Sequence, residues 1–143
     1  MNHRERTVAE VQARLERAEL PANEVEAAVA ELVEFGYLDD GRYARVFAED
    51  KCNLEDWGSK RIERVLVERG VERPLIAAAL AGVFGEGEAE NERALALLTR
   101  RFPEPSADPR ERERALGVLI RKGYDSDLAY DAVRAWSAGE TGI

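Results

Sequence analysis

The chain has 143 residues and a formal net charge of −8, with 45% apolar, 35% charged and only 7% aromatic residues. This composition is sufficient for a buried core and favours a helical protein. The single cysteine, Cys52, excludes an internal disulfide and a cysteine-based metal site, and the lack of disulfides fits the reducing cytoplasm. No apolar run approaches the roughly 20 residues of a membrane span, and the acidic charge counts against a general affinity for nucleic acid.

Caps and apolar periodicity predict eight helices. The first two span 7–19, where Thr7 and Glu10 form a capping box, and 23–35, which Asn23 caps. The other six begin at caps or first-turn prolines and span 39–52, 57–69, 73–84, 88–101, 109–122 and 126–136. The chain is therefore predicted to be all-α.

The sequence repeats itself about every fifty residues. Phe35-Gly36 returns as Phe84-Gly85, and Trp136-Ser137 stands in the third place. Periods of this length are typical of stacked supersecondary units. We therefore predict tandem three-helix repeats, with the first repeat missing its leading helix. The predicted units are 1–38 (repeat 1, two helices), 39–87 (repeat 2), 88–138 (repeat 3) and 139–143 (a tail).

The adjacent Asp39 and Asp40 are the strongest candidates for a metal or acid–base site. No third ligand follows at a suitable spacing, and an Asp pair directly before a helical run is what helix capping requires, so we interpret both as capping residues. His3 is the only histidine, and no glycine-rich phosphate loop is present. We therefore predict no enzymatic activity, no metal and no cofactor.

Basic residues concentrate on one face of two predicted helices. In the fourth helix they lie opposite Ile62, Val65 and Leu66. Aligning Leu66 of the fourth helix with Ile120 of the seventh makes Lys60 equivalent to Arg114. We therefore interpret the basic faces of these two helices as one repeated binding feature. The alternative is that each is an ordinary solvated helix face. The candidate contact residues are Lys60, Arg61, Arg64, Arg114 and Arg121, together with Arg42 and Arg45 on the third helix.

Trp57 opens the fourth helix beside these cations. A tryptophan in this place can stack on a nucleic-acid base or fill a corner between helices. We favour the second interpretation, because a tryptophan at the start of a helix more often fills a corner between helices.

Several strings of the sequence occur in a recognisable order and spacing. They are Gly36-Tyr37-Leu38-Asp39-Asp40, Arg42-Tyr43-Ala44, Trp57-Gly58-Ser59-Lys60-Arg61-Ile62, Arg69-Gly70-Val71 and Arg121-Lys122-Gly123-Tyr124. Together they resemble the RecX family of recombination regulators, over the span from Thr7 to Trp136. The resemblance implies a curved array of three-helix repeats that lodges in the groove of the RecA nucleoprotein filament and damps its ATPase and strand-exchange activities.

By this resemblance the chain is expected to be a non-enzymatic regulator in DNA repair, recombination and the SOS response. Its partner would be the RecA filament, with DNA as a secondary contact, and the candidate basic residues would pair with the filament or with phosphates. We expect a cytoplasmic monomer that contacts no membrane. The alternatives are an autonomous DNA-binding helical protein, since three-helix units can carry a recognition helix, and a generic helical scaffold for other proteins.

Overall fold

The computed structural model describes residues 6–140, so His3 and the last three residues of the predicted tail lie outside the described residues. Between residues 6 and 140 the chain forms eight α-helices and no strand, which confirms the predicted all-α array. The helices are α1 Val8–Arg17, α2 Ala22–Glu34, α3 Asp40–Glu55, α4 Ser59–Glu68, α5 Arg73–Phe84, α6 Glu88–Arg101, α7 Pro109–Lys122 and α8 Ser126–Ser137. None of these helices is long and apolar enough to cross a membrane.

Local capping explains where most helices begin. The predicted capping box is confirmed: the Thr7 hydroxyl accepts from the Glu10 amide at 3.1 Å, and the Glu10 carboxylate accepts from the Thr7 amide at 3.0 Å. Asp39 caps α3 by accepting from the amide of Arg42 at 3.0 Å. The first-turn proline predicted for α5 is also present.

Two predicted caps and one predicted start are wrong by one or two residues. Asn23 lies inside α2, because this helix begins at Ala22 directly after Pro21. Asp125, not Ser126, caps α8 and accepts from an amide two residues further on at 3.2 Å. Helix α4 begins at Ser59 and not at residue 57, because Gly58 is still extended. Only at α8 do two neighbouring polar residues compete for the cap, whereas α2 and α4 begin after Pro21 and Gly58 without a side-chain cap.

Two hydrophobic cores divide most of the molecule. One is built from α3, α4, α5 and the turns between them, and the other from α6, α7, α8 and theirs. In each core the first helix packs mainly against the third, α3 on α5 and α6 on α8. The predicted repeat boundaries at 38/39 and 87/88 fall in the turns before α3 and α6. The division into repeats itself stays a prediction.

The structure fixes the register that relates the helices to one another. Leu66 of α4 and Leu119 of α7 are both 0% exposed, and each is followed four residues later by a glycine with positive φ, Gly70 at 83° and Gly123 at 98°. Ile120, in contrast, is 45% exposed. The alignment of Leu66 with Ile120 is therefore wrong by one residue, and Arg114 corresponds to Arg61.

The same alignment of helices shows that the repeated Phe-Gly and Trp-Ser pairs do not occupy equivalent positions. Helix α2 begins 51 residues before α5, and α5 begins 53 residues before α8, so Leu32 corresponds to Val83 and Trp136. Phe35 is 67% exposed, whereas Phe84 and Trp136 are buried. The three marks thus share a sequence pattern without sharing one structural position.

Candidate interaction surface

Helices α7 and α4 meet end to end. The amide of Gly58 donates to the carbonyl of Lys122 at 2.8 Å, and the amide of Lys60 donates to the carbonyl of Gly123 at 2.9 Å. A side chain on Gly58 would lie 2.7 Å from the Gly123 carbonyl oxygen, and one on Gly123 would overlap Arg61. The last carbonyls of one helix thus satisfy the first amides of the next, with both helix dipoles pointing the same way.

Helices α4 and α1 repeat this arrangement. The Thr7 hydroxyl at the start of α1 donates to the carbonyl of Arg69 at the end of α4, at 2.7 Å. A side chain on Gly70 would overlap Ala9, as one on Gly123 would overlap Arg61. Helices α7, α4 and α1 therefore form one head-to-tail stack, which we call the column.

Each junction of the column is also capped from a neighbouring helix. The first amide of α1, from Val8, donates to Asp40 of α3 at 2.9 Å, and the first amide of α4, from Ser59, donates to Glu90 of α6 at 2.8 Å. Ala44 and Ala48 of α3 are matched by Ala94 and Leu98 of α6 at an offset of fifty residues. Asp40 and Glu90 are related by the same offset, so carboxylates at equivalent positions cap the two junctions.

The two adjacent aspartates therefore cap two different helices. Asp39 caps its own helix, while Asp40 caps α1. Partial burial raises the pKa of Asp40 above its ordinary value, the bond from the Val8 amide opposes that rise, and the nearby carboxylates of Asp39, Glu72 and Glu10 add to it. Among the described residues no group of three or more potential ligands could hold a metal ion.

Arg61 contacts groups on both sides of the α4–α7 junction. Its Nη1 donates to the carbonyl of Arg121 at 3.3 Å, across the α4–α7 junction. Its guanidinium carbon lies 4.1 Å from the centre of the Trp57 ring, a cation–π distance. One hydrogen bond and one cation–π contact thus hold a half-buried arginine where the two basic helices meet.

Trp57 packs as a corner residue. Its ring lies edge-on to Phe47, with the ring centres 6.0 Å apart, and it is partly buried against the α3–α5 core. The ammonium group of Lys51 lies 4.9 Å from the ring centre. Trp57 therefore packs against the α3–α5 core, and its ring also contacts the side chains of Lys51 and Arg61.

The structure brings four of the candidates together at the α4–α7 junction. Lys60, Arg64 and Arg121 are exposed there, beside Arg61. Arg114 is exposed two turns earlier on α7, about 10 Å along the helix from Arg121. We call these five residues the basic junction.

The two remaining candidates lie elsewhere, on α3. Arg42 is half-buried, and its Nη2 donates to the carbonyl of Gly36 at 3.5 Å, at the turn between α2 and α3. Arg45 is exposed on the next turn of the same helix. Arg42 thus supports the approach of α2 to α3.

Sequence reasoning missed Lys122 and Glu90. The ammonium group of Lys122 donates to the carbonyl of Glu55 at 2.9 Å, which ties α7 to the end of α3. Glu90 is buried at the start of α4 although it belongs to α6. The sequence signal for these junctions was the pair Gly70 and Gly123, since a glycine four residues after each buried leucine marks a point where another helix approaches the backbone closely.

Helical units that share one register and one type of junction define a tandem helical-repeat protein. A family model described as "RecX, second three-helix domain" matches residues 39–80, and "RecX, third three-helix domain" matches residues 88–133. The Regulatory protein RecX of Trichlorobacter lovleyi is 38% identical over 129 residues, which cover 87% of this chain and 82% of that protein. The chain belongs to the RecX family.

Two further comparisons define the extent of the likeness. The Regulatory protein RecX of Listeria monocytogenes serotype 4a is 27% identical over 92% of this chain, and the chain spans about half (49%) of that protein's length. The crystal structure of RecX from Lactobacillus salivarius has the same fold, with a TM-score of 0.79 at 19% identity, over 95% of this chain and 88% of that one.

Proposed function

We propose that this chain binds the RecA nucleoprotein filament and modulates, mainly inhibits, its ATPase and strand-exchange activities. The observation that carries the proposal is membership of a family whose relatives bear the name "Regulatory protein RecX". As a regulator it would act by binding one state of its target more tightly than another, without chemistry of its own. It would work in the cytoplasm as a monomer.

The basic junction supports this proposal physically. A chain with a net charge of −8 needs segregated cations to approach a phosphate-bearing filament. Arg61 is already held by the Arg121 carbonyl and Trp57, so little side-chain entropy is lost when it binds. We assign the basic junction to the filament or to its phosphates, with Arg42 and Arg45 as additional contacts.

The RecA ATPase on single-stranded DNA tests the assignment. Wild-type chain should lower the rate in a concentration-dependent way. Lys60→Glu combined with Arg114→Glu should raise the concentration needed for half-inhibition about thirtyfold, because two lost charge contacts of about 1 kcal/mol each amount to that factor.

Arg17→Glu combined with Arg73→Glu is the matched control. Both arginines are exposed, on α1 and α5, and the change in net charge is the same. This variant should inhibit as the wild type does. If both double variants inhibit equally, the basic junction is not the contact surface. If the wild type leaves the ATPase unchanged, the chain does not regulate RecA and a scaffold function takes its place.

An autonomous DNA-binding protein is the second candidate, favoured by the five cations of the basic junction. It predicts binding to free DNA whose logarithm of affinity falls steeply with the logarithm of salt concentration, because phosphate contacts release counterions. Fluorescence anisotropy with labelled single- and double-stranded oligonucleotides, without RecA, separates the two candidates. DNA binding that accounts for the whole inhibitory effect would favour the second.

A further inference from the structure

Cations and aromatic rings alternate along one side of α3 and α4. The ammonium group of Lys51 lies 5.7 Å from the centre of the Phe47 ring and 4.9 Å from the centre of the Trp57 ring. The guanidinium carbon of Arg69 lies 4.8 Å from the centre of the Phe47 ring, and that of Arg61 lies 4.1 Å from the centre of the Trp57 ring. Because the two rings pack edge-on against each other, the three cations follow one continuous surface.

A fourth cation continues this surface onto α7. The ammonium group of Lys122 donates to the carbonyl of Glu55, two residues before Trp57. Lys122 is also the next residue after Arg121, whose carbonyl accepts from Arg61. We call Lys51, Arg61, Arg69 and Lys122 the cation row.

The groups that hold the cation row are all neutral. They are the two rings, the hydroxyl of Tyr43, which accepts from Arg69, and the carbonyls of Glu55 and Arg121. Within residues 6–140, no carboxylate forms an ion pair with any of the four cations. Asp56, which adjoins Trp57 in the sequence, is paired at 3.1 Å with Arg100 instead.

Burial makes this lack of counterions significant. All four side chains of the cation row are half-buried, whereas most other lysines and arginines of the described residues are exposed to water. A charge that has lost part of its hydration is stabilised by an opposite charge more than an exposed one is. The side chains are also already held in place, so little rotamer entropy is lost when an anion binds. The cation row is therefore a preorganised site for anionic groups.

The surroundings favour carboxylates of a protein over a nucleic acid. Cations already cover the rings of Phe47 and Trp57, so these rings offer no free platform on which bases could stack. Leu54 follows Lys51 by one turn of α3 and is 78% exposed, which adds the apolar contact that a protein surface can match. The guanidinium groups of Arg61 and Arg69 can each pair with a carboxylate through two hydrogen bonds.

We propose that the cation row binds an acidic segment of a protein partner, with carboxylates on the four cations and an apolar side chain against Leu54. Only Arg61 belongs also to the basic junction, so the cation row is a second contact surface. The proposal goes beyond RecA binding and does not depend on it, because its test contains no RecA.

Two labelled synthetic peptides test the proposal on the full chain by fluorescence anisotropy. Both have the same length and one central leucine; one carries glutamate and the other glutamine at the same positions, with alanine elsewhere. The glutamate peptide should bind at least about tenfold more tightly, although the net charge of −8 repels it overall. In the isotope-labelled chain it should shift the indole resonance of Trp57 and leave that of Trp136, which is 2% exposed in the other core.

Charge removal localises the binding. Lys51→Gln combined with Arg69→Gln should lower the affinity for the glutamate peptide about tenfold or more, because two of the four cations are lost. Arg14→Gln combined with Arg17→Gln, at exposed positions on α1, makes the same change in net charge and should bind as the wild type does.

A single variant guards against loss of the fold. Lys51 contacts only the two rings, so Lys51→Gln should keep the circular dichroism spectrum of the wild type and still lower the affinity about threefold or more.

Three results would overturn the proposal. The first is that the wild type binds the two peptides equally. The second is that the two double variants lose affinity equally, since net charge alone would then govern binding. The third is that a thymidine oligonucleotide with the same number of negative charges binds more tightly than the glutamate peptide and shifts the Trp57 indole resonance, since the occupant would then be a nucleic acid. A chain that binds the glutamate peptide at the cation row and leaves RecA unaffected would support this proposal while contradicting the RecA assignment.

Discussion

One leucine position occurs three times among the described residues, in two kinds of environment. Leu66 and Leu119 are fully buried in the two cores, whereas Leu15 lines an open groove between α1 and α2 and is only partly buried. The same side chain on the same face of equivalent helices therefore contributes differently to stability. What differs is the helix that covers it.

Leucine-to-alanine substitutions at these three positions measure that difference. Leu66→Ala and Leu119→Ala should each lower the free energy of unfolding by about 2–5 kcal/mol, because each leaves a cavity in a closed core. Leu15→Ala should cost about 1 kcal/mol, since part of the side chain is already in water. Urea unfolding followed by circular dichroism gives all three values. Equal losses at the three positions would show that the α1–α2 groove is covered in solution.

At this scale the sequence predicts which face of a helix is buried better than which residue. Leu119 and Ile120 are adjacent apolar residues, and periodicity alone allows either to point inward. Packing in the core of α6, α7 and α8 selects Leu119, and that one-residue difference moves the partner of Arg114 from Lys60 to Arg61. The capping box at Thr7 was predictable because both of its bonds are local.

At the scale of elements, the column is the feature that arranges the candidate site. Each of its junctions combines a glycine, a helix end and a carboxylate from a third helix, as at Gly123, α4 and Glu90. Helix bounds were largely predictable from caps. The junctions were not, because each joins residues at least 30 positions apart and no local pattern records such a contact.

Gly123→Ala tests the close approach at the α4–α7 junction. The positive φ of Gly123 costs an alanine about 1–2 kcal/mol, and the added carbon would also overlap Arg61, so a loss of about 3 kcal/mol or more is expected. Gly36→Ala is the control, because its φ is also positive at 78° but nothing lies within 4 Å of the added carbon. It should lose only the backbone contribution. Thermal and urea unfolding measure both, and similar losses would contradict the proposed tightness of the junction.

At the scale of the whole molecule, stability is distributed unevenly. The two cores contain residues from α3 to α8 and none from α1 or α2. Helix α1 has no buried residue, and α2 has only Val25. The first two helices are held chiefly by each other and by the junction at Thr7 and Asp40.

Amide hydrogen exchange should report this gradient. Amides of α1 and α2 should exchange at least about tenfold faster than those of α4 and α7, because opening the first two helices exposes little buried apolar surface. Mass spectrometry of peptic peptides resolves the helices. Equal protection along the whole chain would contradict the gradient.

The end of the column has a consequence for polymerisation. Glu19 stands four residues after Leu15, as Gly70 and Gly123 stand four residues after their leucines, and its φ is also positive, at 62°. Gly70 and Gly123 leave bare backbone on which the next helix can rest, but Glu19 carries a side chain at that point. A second chain approaching with its own α7 or α4 could not stack there as closely. The glutamate side chain at this outer end should therefore disfavour extension of the column by copies of the chain into an open fibre.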